Sequence, residues 1–122
     1  MVVTGAASGI GRAVAEKYKL MGCEVIGIDR EIVPCGFRLL VCDLADEVQV
    51  KSTFVLLREE YQKIDYLINA AGVFFVEKRN TVADMVLSGW NATLQNNLTG
   101  TMLCCKYAVP LMENEKAEDR AI

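Results

Sequence analysis

Thr4-Gly5-Ala6-Ala7-Ser8-Gly9-Ile10-Gly11 is a glycine-rich loop near the start of the chain, and the arrangement of the other residues follows from it. The loop comes after a short apolar run, Val2-Val3, and leads into apolar residues at helical spacing. In the order strand, glycine turn and helix, such a loop is typical of dinucleotide binding. Glycines let the backbone approach a pyrophosphate, and the helix N-terminus behind them offers unpaired N–H groups. The same residues are also compatible with an ordinary turn between a strand and a helix.

The chain has 122 residues, of which 52% are hydrophobic, and a net charge of −3. This length allows one domain with a buried core but is short for a complete doubly wound enzyme. The charge and the absence of runs of like charge argue against nucleic acid and membrane-surface partners. No apolar stretch approaches the ~18–20 residues of a membrane span. Because the chain leads directly into the glycine loop, no signal peptide is predicted, and we expect a cytoplasmic protein.

Five cysteines and no histidine limit the side-chain chemistry. No two cysteines have the C-x-x-C spacing, so we expect no metal site, and without histidine there is no Cys–His nucleophile. An odd number of cysteines without a secretion signal indicates buried free thiols. The adjacent pair Cys104-Cys105 is compatible with redox activity, but packing is the simpler interpretation.

Short apolar segments alternate with helical patterns along the chain, which predicts an α/β fold with a parallel sheet and helical crossovers. The predicted strands are Val2–Thr4, Glu24–Ile28, Arg38–Cys42 and Asp65–Ile68, and Arg120–Ile122 is predicted to begin a fifth.

Two helices are predicted in the first half of the chain. The first spans Gly9–Met21, and its apolar residues at helical spacing are Ile10, Val14, Tyr18 and Met21. The second follows Asp46, its predicted N-cap, with Gln49 three residues later in a capping-box arrangement. The predicted core stripe of this second helix comprises Val50, Phe54, Leu57 and Tyr61.

A longer helical pattern spans about Ser88–Asn114, after a polar segment that is predicted to be a loop up to about Asp84. We expect Pro110 to kink or end this helix, because proline removes one backbone hydrogen bond. Its apolar residues step by threes and fours and comprise Leu94, Leu98, Met102, Cys105, Val109 and Met112.

The end of the second strand carries an acidic residue, Asp29, which lies 18 positions after Gly11. Ligands of such sheets bind beyond the carboxyl ends of the strands, and an acidic residue there accepts hydrogen bonds from the adenosine ribose hydroxyls. Its charge would repel a 2′-phosphate and therefore favours NAD over NADP. The neighbouring Arg30 favours the opposite choice, and a solvated turn aspartate is the simpler alternative.

The next two strand ends also carry candidate binding residues. Asp43 can accept a hydrogen bond from the adenine amino group while Leu44 packs beside the ring; the alternative is a plain turn before the Asp46 cap. The small residues of Asn69-Ala70-Ala71-Gly72 would admit the flat adenosine, and the Asn69 amide can tie neighbouring strands together. The alternative for this run is an ordinary exit from a strand into a loop.

Taken in order, these segments resemble the N-terminal half of the short-chain dehydrogenase/reductase family. The residues that carry the resemblance are the T-G-x-x-x-G-I-G loop Thr4–Gly11, the adenine-pocket pair Asp43-Leu44, the N-[NA]-A-G run Asn69–Gly72, and Trp90, Asn97 and Gly100. The resemblance covers essentially all 122 residues. It implies a three-layer, doubly wound Rossmann-type parallel sheet in the strand order 3-2-1-4 with the start of strand 5. Residues 1–122 would form one NAD(P)-binding domain, incomplete at its C-terminus.

The same resemblance implies an activity and a set of partners. The family transfers hydride between a nicotinamide cofactor and an alcohol or carbonyl substrate, and its long helix, here Leu94–Met112, takes part in a subunit interface that makes homo-oligomers. Asn97 corresponds to the family's structural and catalytic asparagine, which holds a helix bend and a water in a proton relay; from the residues alone it is a helix-kink hydrogen bond or a cap. The implied cofactor-binding residues are Gly5, Ser8, Gly9, Ile10, Gly11, Asp29, Arg30, Asp43, Leu44, Asn69, Ala70, Ala71 and Gly72.

The family's catalytic serine and Tyr-x-x-x-Lys pair fall after its fifth strand. None of the four tyrosines, which are Tyr18, Tyr61, Tyr66 and Tyr107, has a lysine four residues later. A tyrosine needs a nearby cation to act as a base at neutral pH. We therefore expect these 122 residues to bind the dinucleotide and to show weak or no catalysis alone; the alternative is a non-catalytic binding or interaction protein.

Overall fold

Among the residues that the structure describes, four strands form a parallel sheet with helices on its faces. The computed structural model describes residues 1–74, 81–112 and 120–122. The strands are β1 (Val2–Thr4), β2 (Ile26–Asp29), β3 (Arg38–Val41) and β4 (Leu67–Asn69). They lie in the order β3-β2-β1-β4, which confirms the predicted order and fold class. β2 and β4 each begin two residues later than the sequence pattern indicated.

The predicted start of a fifth strand is confirmed next to β4. Ala121 forms an isolated parallel bridge with Tyr66, and its carbonyl oxygen accepts a hydrogen bond of 3.1 Å from the N–H of Leu67. The chain after β4 therefore returns to the sheet on the side of β4 that faces away from β1.

In the described part of the chain, four α-helices connect and cover the strands. They are α1 (Gly9–Leu20), α2 (Glu47–Tyr61), α3 (Leu87–Leu94) and α4 (Gly100–Met112). A short 3-10 turn (Val82–Asp84) precedes α3, and a π-helical turn (Gln95–Thr99) joins α3 to α4. The predicted long helix is thus present but contains a π turn. α4 continues past Pro110 to Met112, and the predicted end at Asn114 lies outside the described residues.

Two apolar cores lie on opposite faces of the sheet, which gives the three layers predicted. Successive residues of a strand point to opposite faces, and Val2 and Val3 accordingly belong to different cores. The core beneath α1 comprises Val3, Ala6, Ala15, Val25 and Phe37. The larger core lies against α2 and α4 and includes Ile26, Ile28, Val50, Phe54, Leu57, Leu103 and Cys104.

The predicted apolar face of α1 was partly wrong. Ile10 and Met21 are 79% and 66% exposed, while Gly11 and Ala15 are the buried residues of this helix. Val14 and Tyr18 pack against the core as predicted. The helix approaches the sheet through its smallest residues, so its buried face is rotated away from the large side chains at both ends.

The apolar residues that repeat along the last helical pattern lie mostly on an exposed face. Leu98 is 65% exposed and Met102 is 50% exposed, and of these residues only Met112 is fully buried. The buried face of α4 consists of Gly100, Leu103, Cys104, Ala108, Leu111 and Met112. This segment is apolar on two faces, and helical spacing alone does not decide which of them packs on the sheet.

The prediction for α2 is confirmed. Val50, Phe54 and Leu57 are buried, and Tyr61 packs at the edge of the same core. Asp46 is the N-cap, with its Oδ1 accepting from the N–H groups of two first-turn residues. The Gln49 side chain differs from a capping box, because its Oε1 accepts from the N–H of Asp43 and not from that of Asp46.

Candidate functional site

A cleft of about 360 Å³ lies beyond the carboxyl ends of the strands, where β1 separates β2 from β4. It brings together most of the residues predicted from the sequence: Gly5, Ser8, Gly9, Ile10, Asp29, Arg30, Leu44, Ala70, Ala71 and Gly72. Four predicted residues lie outside its lining, namely Gly11, Asp43, Asn69 and Asn97.

The glycine loop is shaped by two close backbone approaches. Gly5 has φ +68°, and a Cβ there would lie 2.7 Å from the Cα of Ala71. A Cβ on Gly11 would lie 2.2 Å from the carbonyl oxygen of Gly5. Gly11 therefore allows the first turn of α1 to sit on the loop, while Gly5 allows the loop to touch the exit of β4.

The N-terminus of α1 opens into the same cleft. Ser8 is the N-cap residue, but its side chain makes no capping hydrogen bond. The backbone hydrogen bond from Arg12 N–H to the Ser8 carbonyl, at 3.1 Å, belongs to the first turn. The N–H groups before it lack intrahelical partners by the geometry of any helix, and they carry its positive dipole end. A backbone cradle of this kind fits a pyrophosphate group.

The carboxylate of Asp29 is held between the loop and the end of β2. Its Oδ2 accepts a hydrogen bond of 2.9 Å from the N–H of Ala7. Its Oδ1 accepts from the N–H of Arg30 at 2.7 Å and from that of Glu31 at 3.3 Å. A carboxylate offers about four lone-pair sites, so this arrangement leaves capacity for a ligand hydroxyl.

At the strand end Asp43-Leu44, the aspartate forms a local turn and the leucine faces the cleft. Asp43 Oδ1 accepts from the N–H of Ala45 at 3.0 Å, which is the local turn considered as an alternative. Leu44 is buried and lines the cleft. It also contacts α4, since a Cβ on Gly100 would lie 3.0 Å from the Leu44 Cβ.

Thr4, which sequence reasoning missed, organises the run after β4. It is 1% exposed, and its Oγ1 accepts hydrogen bonds of 3.1 Å from the N–H groups of both Ala70 and Ala71. The Asn69 amide, predicted to tie strands together, lies instead 3.6 Å from Cys105 Sγ through its Nδ2. Its Oδ1 is buried without a hydrogen-bond partner among the described residues. The sequence signal for the role of Thr4 was a polar residue at the end of an otherwise apolar strand, Val2–Thr4.

A family model described as short chain dehydrogenase matches residues 1–120. The chain belongs to the short-chain dehydrogenase family.

Two solved structures and one curated relative illustrate the similarity. Aldohexose dehydrogenase of Thermoplasma acidophilum superposes with a TM-score of 0.83 at 32% identity, over 91% of this chain and 43% of that one. A short chain dehydrogenase of Leptospira borgpetersenii with bound NAD+ gives 0.81 at 26% identity, over 90% and 44%. A 3beta-hydroxysteroid dehydrogenase of Mediterraneibacter gnavus is 32% identical over 93% of this chain and 45% of its own length. The chain thus spans about half the length of the curated relatives it matches.

The asparagine assigned by family resemblance lies behind the cleft wall. Asn97 is in the π turn, and its side-chain amide bonds both backbone groups of Val73, which lines the cleft. The preceding residue, Asn96, is the one that lines the cleft itself. Further lining residues that the sequence did not indicate are Ala7, Ile28, Glu31 and Cys42.

The cysteines are free thiols, as predicted, and two of them are buried. Burial raises the pKa of Cys104 to about 12 and also raises the pKa of Cys42, so both are neutral at physiological pH. Within residues 1–74, 81–112 and 120–122, no cluster of three or more histidine, cysteine or acidic residues could hold a metal. No helix of the described part is long and apolar enough to cross a membrane.

Proposed function

We propose that this chain is the dinucleotide-binding half of an NAD-dependent oxidoreductase of the short-chain dehydrogenase type. Bound NAD would supply or accept the hydride exchanged with an alcohol or carbonyl carbon. The observation that carries the proposal is one shared cleft: the uncapped first turn of α1 and the carboxylate of Asp29 both border it. Together they match the pyrophosphate and the adenosine ribose of one dinucleotide.

Each group around the cleft has a proposed part in binding. The N–H groups after Ser8 would hold the pyrophosphate, and Asp29 would accept from the ribose hydroxyls. Leu44 would pack beside adenine, with Asp43 accepting from its amino group. The small run Ala70–Gly72 would form the wall along the adenosine, and Asn69 would support that wall from within the sheet.

A preference for NAD over NADP is supported by the charges at the end of β2. Asp29 and Glu31 both line the cleft, and each would repel a 2′-phosphate. Arg30, which lies between them, is the one cation of this lining and would favour the phosphate instead. Two carboxylates against one guanidinium favour the uncharged ribose.

Asn97 is proposed as a positioning residue for the reaction. The resemblance assigns it to a helix bend and to a water in the proton relay to the family's active-site lysine. That lysine belongs to a Tyr-x-x-x-Lys pair, and none of the tyrosines of these 122 residues has a lysine four residues later. We therefore propose that the 122 residues alone bind the cofactor with little turnover. A non-catalytic dinucleotide-binding or interaction protein is the second candidate for these 122 residues, none of whose tyrosines has a lysine four residues later.

Calorimetric titration of the purified chain with NAD+, NADP+ and ADP tests the binding proposal. We expect NAD+ to bind more tightly than NADP+, with ADP retaining much of the affinity. Gly9→Ala is the test variant, because Gly9 borders the cleft and has φ +53°. Gly36→Ala is the matched control, since that glycine lies in open space without a positive φ.

The titration decides whether the cleft binds a dinucleotide, and an activity assay decides between the two candidate functions. Lower NAD+ affinity in Gly9→Ala, with Gly36→Ala unchanged, supports binding at the cleft. Failure of the wild-type chain to bind any adenine nucleotide contradicts it. A parallel assay of NADH formation from a panel of secondary alcohols separates the two functions, because robust turnover by the 122 residues would rule out the non-catalytic candidate.

The exposed apolar face of the α3–α4 segment is proposed as a surface for a second copy of the chain. Leu94, Leu98, Met102 and Val109 are all at least 37% exposed and repeat at helical spacing. An apolar stripe of this length in contact with water is typical of a protein interface.

A further inference from the structure

We propose that Asp29 is a positioning residue that locks the glycine loop, in addition to any contact it makes with a ribose. The inference rests on the proposed function, because the loop matters only if it holds a dinucleotide. It assigns to one carboxylate two separable effects on binding, one through the loop and one through the ligand.

The hydrogen bonds of Asp29 carry this inference. Oδ2 bonds the Ala7 N–H at 2.9 Å across 22 residues of sequence, whereas Oδ1 bonds the N–H groups of its own turn, Arg30 and Glu31. The carboxylate is therefore a bridge from the end of β2 to the middle of the loop. A hydrogen bond that an ionised acceptor receives from a backbone N–H is among the stronger kinds in proteins.

Burial of Ala7 makes the bridge important for loop order. Ala7 is 6% exposed, so without the carboxylate its N–H would lose its partner in a place that water reaches poorly. The loop is otherwise tied to β2 by the N–H groups of Gly5 and Ala6, which share the carbonyl of Ile28. The Asp29 bond is the one that reaches Ala7, next to the Ser8 N-cap of α1.

Loop order affects affinity because a preformed site does not spend binding energy on ordering itself. Loss of the Ala7 bond should weaken every ligand that uses the pyrophosphate cradle, whether or not that ligand has ribose hydroxyls. A residue that acted only on the hydroxyls would leave a ligand without them unaffected. The two roles of Asp29 therefore predict different affinities for a nucleotide with ribose hydroxyls and for the same nucleotide without them.

The binding experiment measures the affinities of the wild-type chain and of Asp29→Ala for ADP and for 2′,3′-dideoxy-ADP, which lacks the ribose hydroxyls. The proposal expects Asp29→Ala to lower the affinity for dideoxy-ADP by about tenfold, the size of a lost charged hydrogen bond. Asp29→Asn keeps one acceptor oxygen and should fall between wild type and Asp29→Ala. Equal dideoxy-ADP affinity in wild type and Asp29→Ala would overturn the proposal and leave Asp29 as a ribose contact only.

Amide hydrogen exchange in the ligand-free chain provides an independent readout. We expect faster exchange of the Ala7 amide in Asp29→Ala, with no change in Glu31→Gln, which removes a neighbouring charge but keeps the bridge. The Val48 amide, bonded to the Asp46 cap at 2.9 Å, reports any general loss of stability and should be unchanged. An unchanged Ala7 exchange rate would overturn the lock.

Failure of the proposed function is distinguishable from failure of this inference. If the wild-type chain binds neither ADP nor dideoxy-ADP, the proposed function is wrong. The exchange rate of the Ala7 amide then tests by itself whether Asp29 orders the loop. If both ligands bind wild type but Asp29→Ala affects ADP alone, the function stands and the lock is wrong.

Discussion

The side-chain amide of Asn97 forms two hydrogen bonds with the backbone of Val73, as the backbone of a neighbouring strand would. Its Oδ1 accepts from the Val73 N–H at 2.8 Å, and its Nδ2 donates to the Val73 carbonyl, also at 2.8 Å. The asparagine lies in the π turn between α3 and α4, whereas Val73 lines the cleft. The helix irregularity and the cleft wall are therefore joined through one side chain.

Asn97→Ala removes both of these hydrogen bonds, and we expect the free energy of unfolding to fall by about 1–2 kcal/mol. Asn97→Asp retains the acceptor for the Val73 N–H and should lose less. Urea denaturation measures both changes. Asn91→Ala, at an exposed asparagine of α3, is the control; equal stability of the Asn97→Ala and Asn91→Ala variants would contradict the role assigned to the pair.

Thr4→Val should destabilise the chain although the two side chains have nearly the same shape. The hydroxyl of Thr4 is the acceptor for the N–H groups of Ala70 and Ala71. We expect a loss of about 1–3 kcal/mol, because two partly buried backbone donors would lose their shared acceptor. Thr93→Val is the matched control, since its hydroxyl bonds only the Gly89 carbonyl one turn earlier in α3. Similar melting temperatures for the two variants would show that this acceptor is not needed.

Gly11→Ala should destabilise α1 despite the higher helix propensity of alanine. That propensity favours alanine by about 1 kcal/mol, but the added Cβ would lie 2.2 Å from the Gly5 carbonyl oxygen. Backbone must move to relieve such a contact, so we expect a net loss of stability. The comparison is thermal unfolding against Gly36→Ala, whose Cβ meets nothing within 4 Å. A Gly11→Ala variant as stable as wild type would contradict the close approach of helix and loop.

Alkaline pH should destabilise the chain through Cys104. Burial raises its folded-state pKa from 9.0 to about 12, so the thiolate forms more readily in the unfolded chain. The stability due to this group is present below about pH 9 and is lost as the pH rises towards 12. Urea unfolding between pH 7 and 10.5 should show this decline, and Cys104→Ala should flatten it. Cys23→Ala, at a less buried cysteine, serves as control; the same pH slope in Cys104→Ala and wild type would exclude this cause.

A charge on the exposed apolar face of the α3–α4 segment should prevent self-association if that face binds a second copy. Leu98→Glu or Met102→Glu is expected to shift the chain towards monomer in sedimentation experiments, because an unpaired charge is costly in an apolar interface. Val48→Glu introduces the same charge at a position on α2 that is 73% exposed. Wild-type chain that is monomeric at all concentrations would contradict the proposed interface.

Much of the fold could be predicted because its signals are local. Alternating strands and helices, the Asp46 cap and the Val50–Tyr61 stripe each follow from residues a few positions apart. The buried faces of α1 and of the α3–α4 segment could not be predicted in the same way. Ile10 and Leu98 fit a helical stripe as well as the residues that are buried, and the choice depends on contacts with distant segments.

The residues of the candidate site also differ in how far the sequence could predict their positions. Most predicted residues border one cleft because parallel strands bring their carboxyl ends to the same edge of the sheet. Asp43, Asn69 and Asn97 belong to its surroundings, and their hydrogen bonds depend on partners that the sequence pattern does not reveal. Thr4 was missed since its hydroxyl acts on a strand end more than 60 residues away.

By itself, the sequence determined the order of the elements and the family, because glycine turns, caps and apolar spacing act within a few residues. Only the tertiary structure decided which face of each helix is buried. It also decided that Asp29 bonds the glycine loop and that Asn97 bonds Val73 in the cleft wall. Those outcomes depend on close packing between segments far apart in the chain. A backbone approach such as that of Gly11 to Gly5, or of Gly100 to Leu44, fixes the rotation of a whole helix.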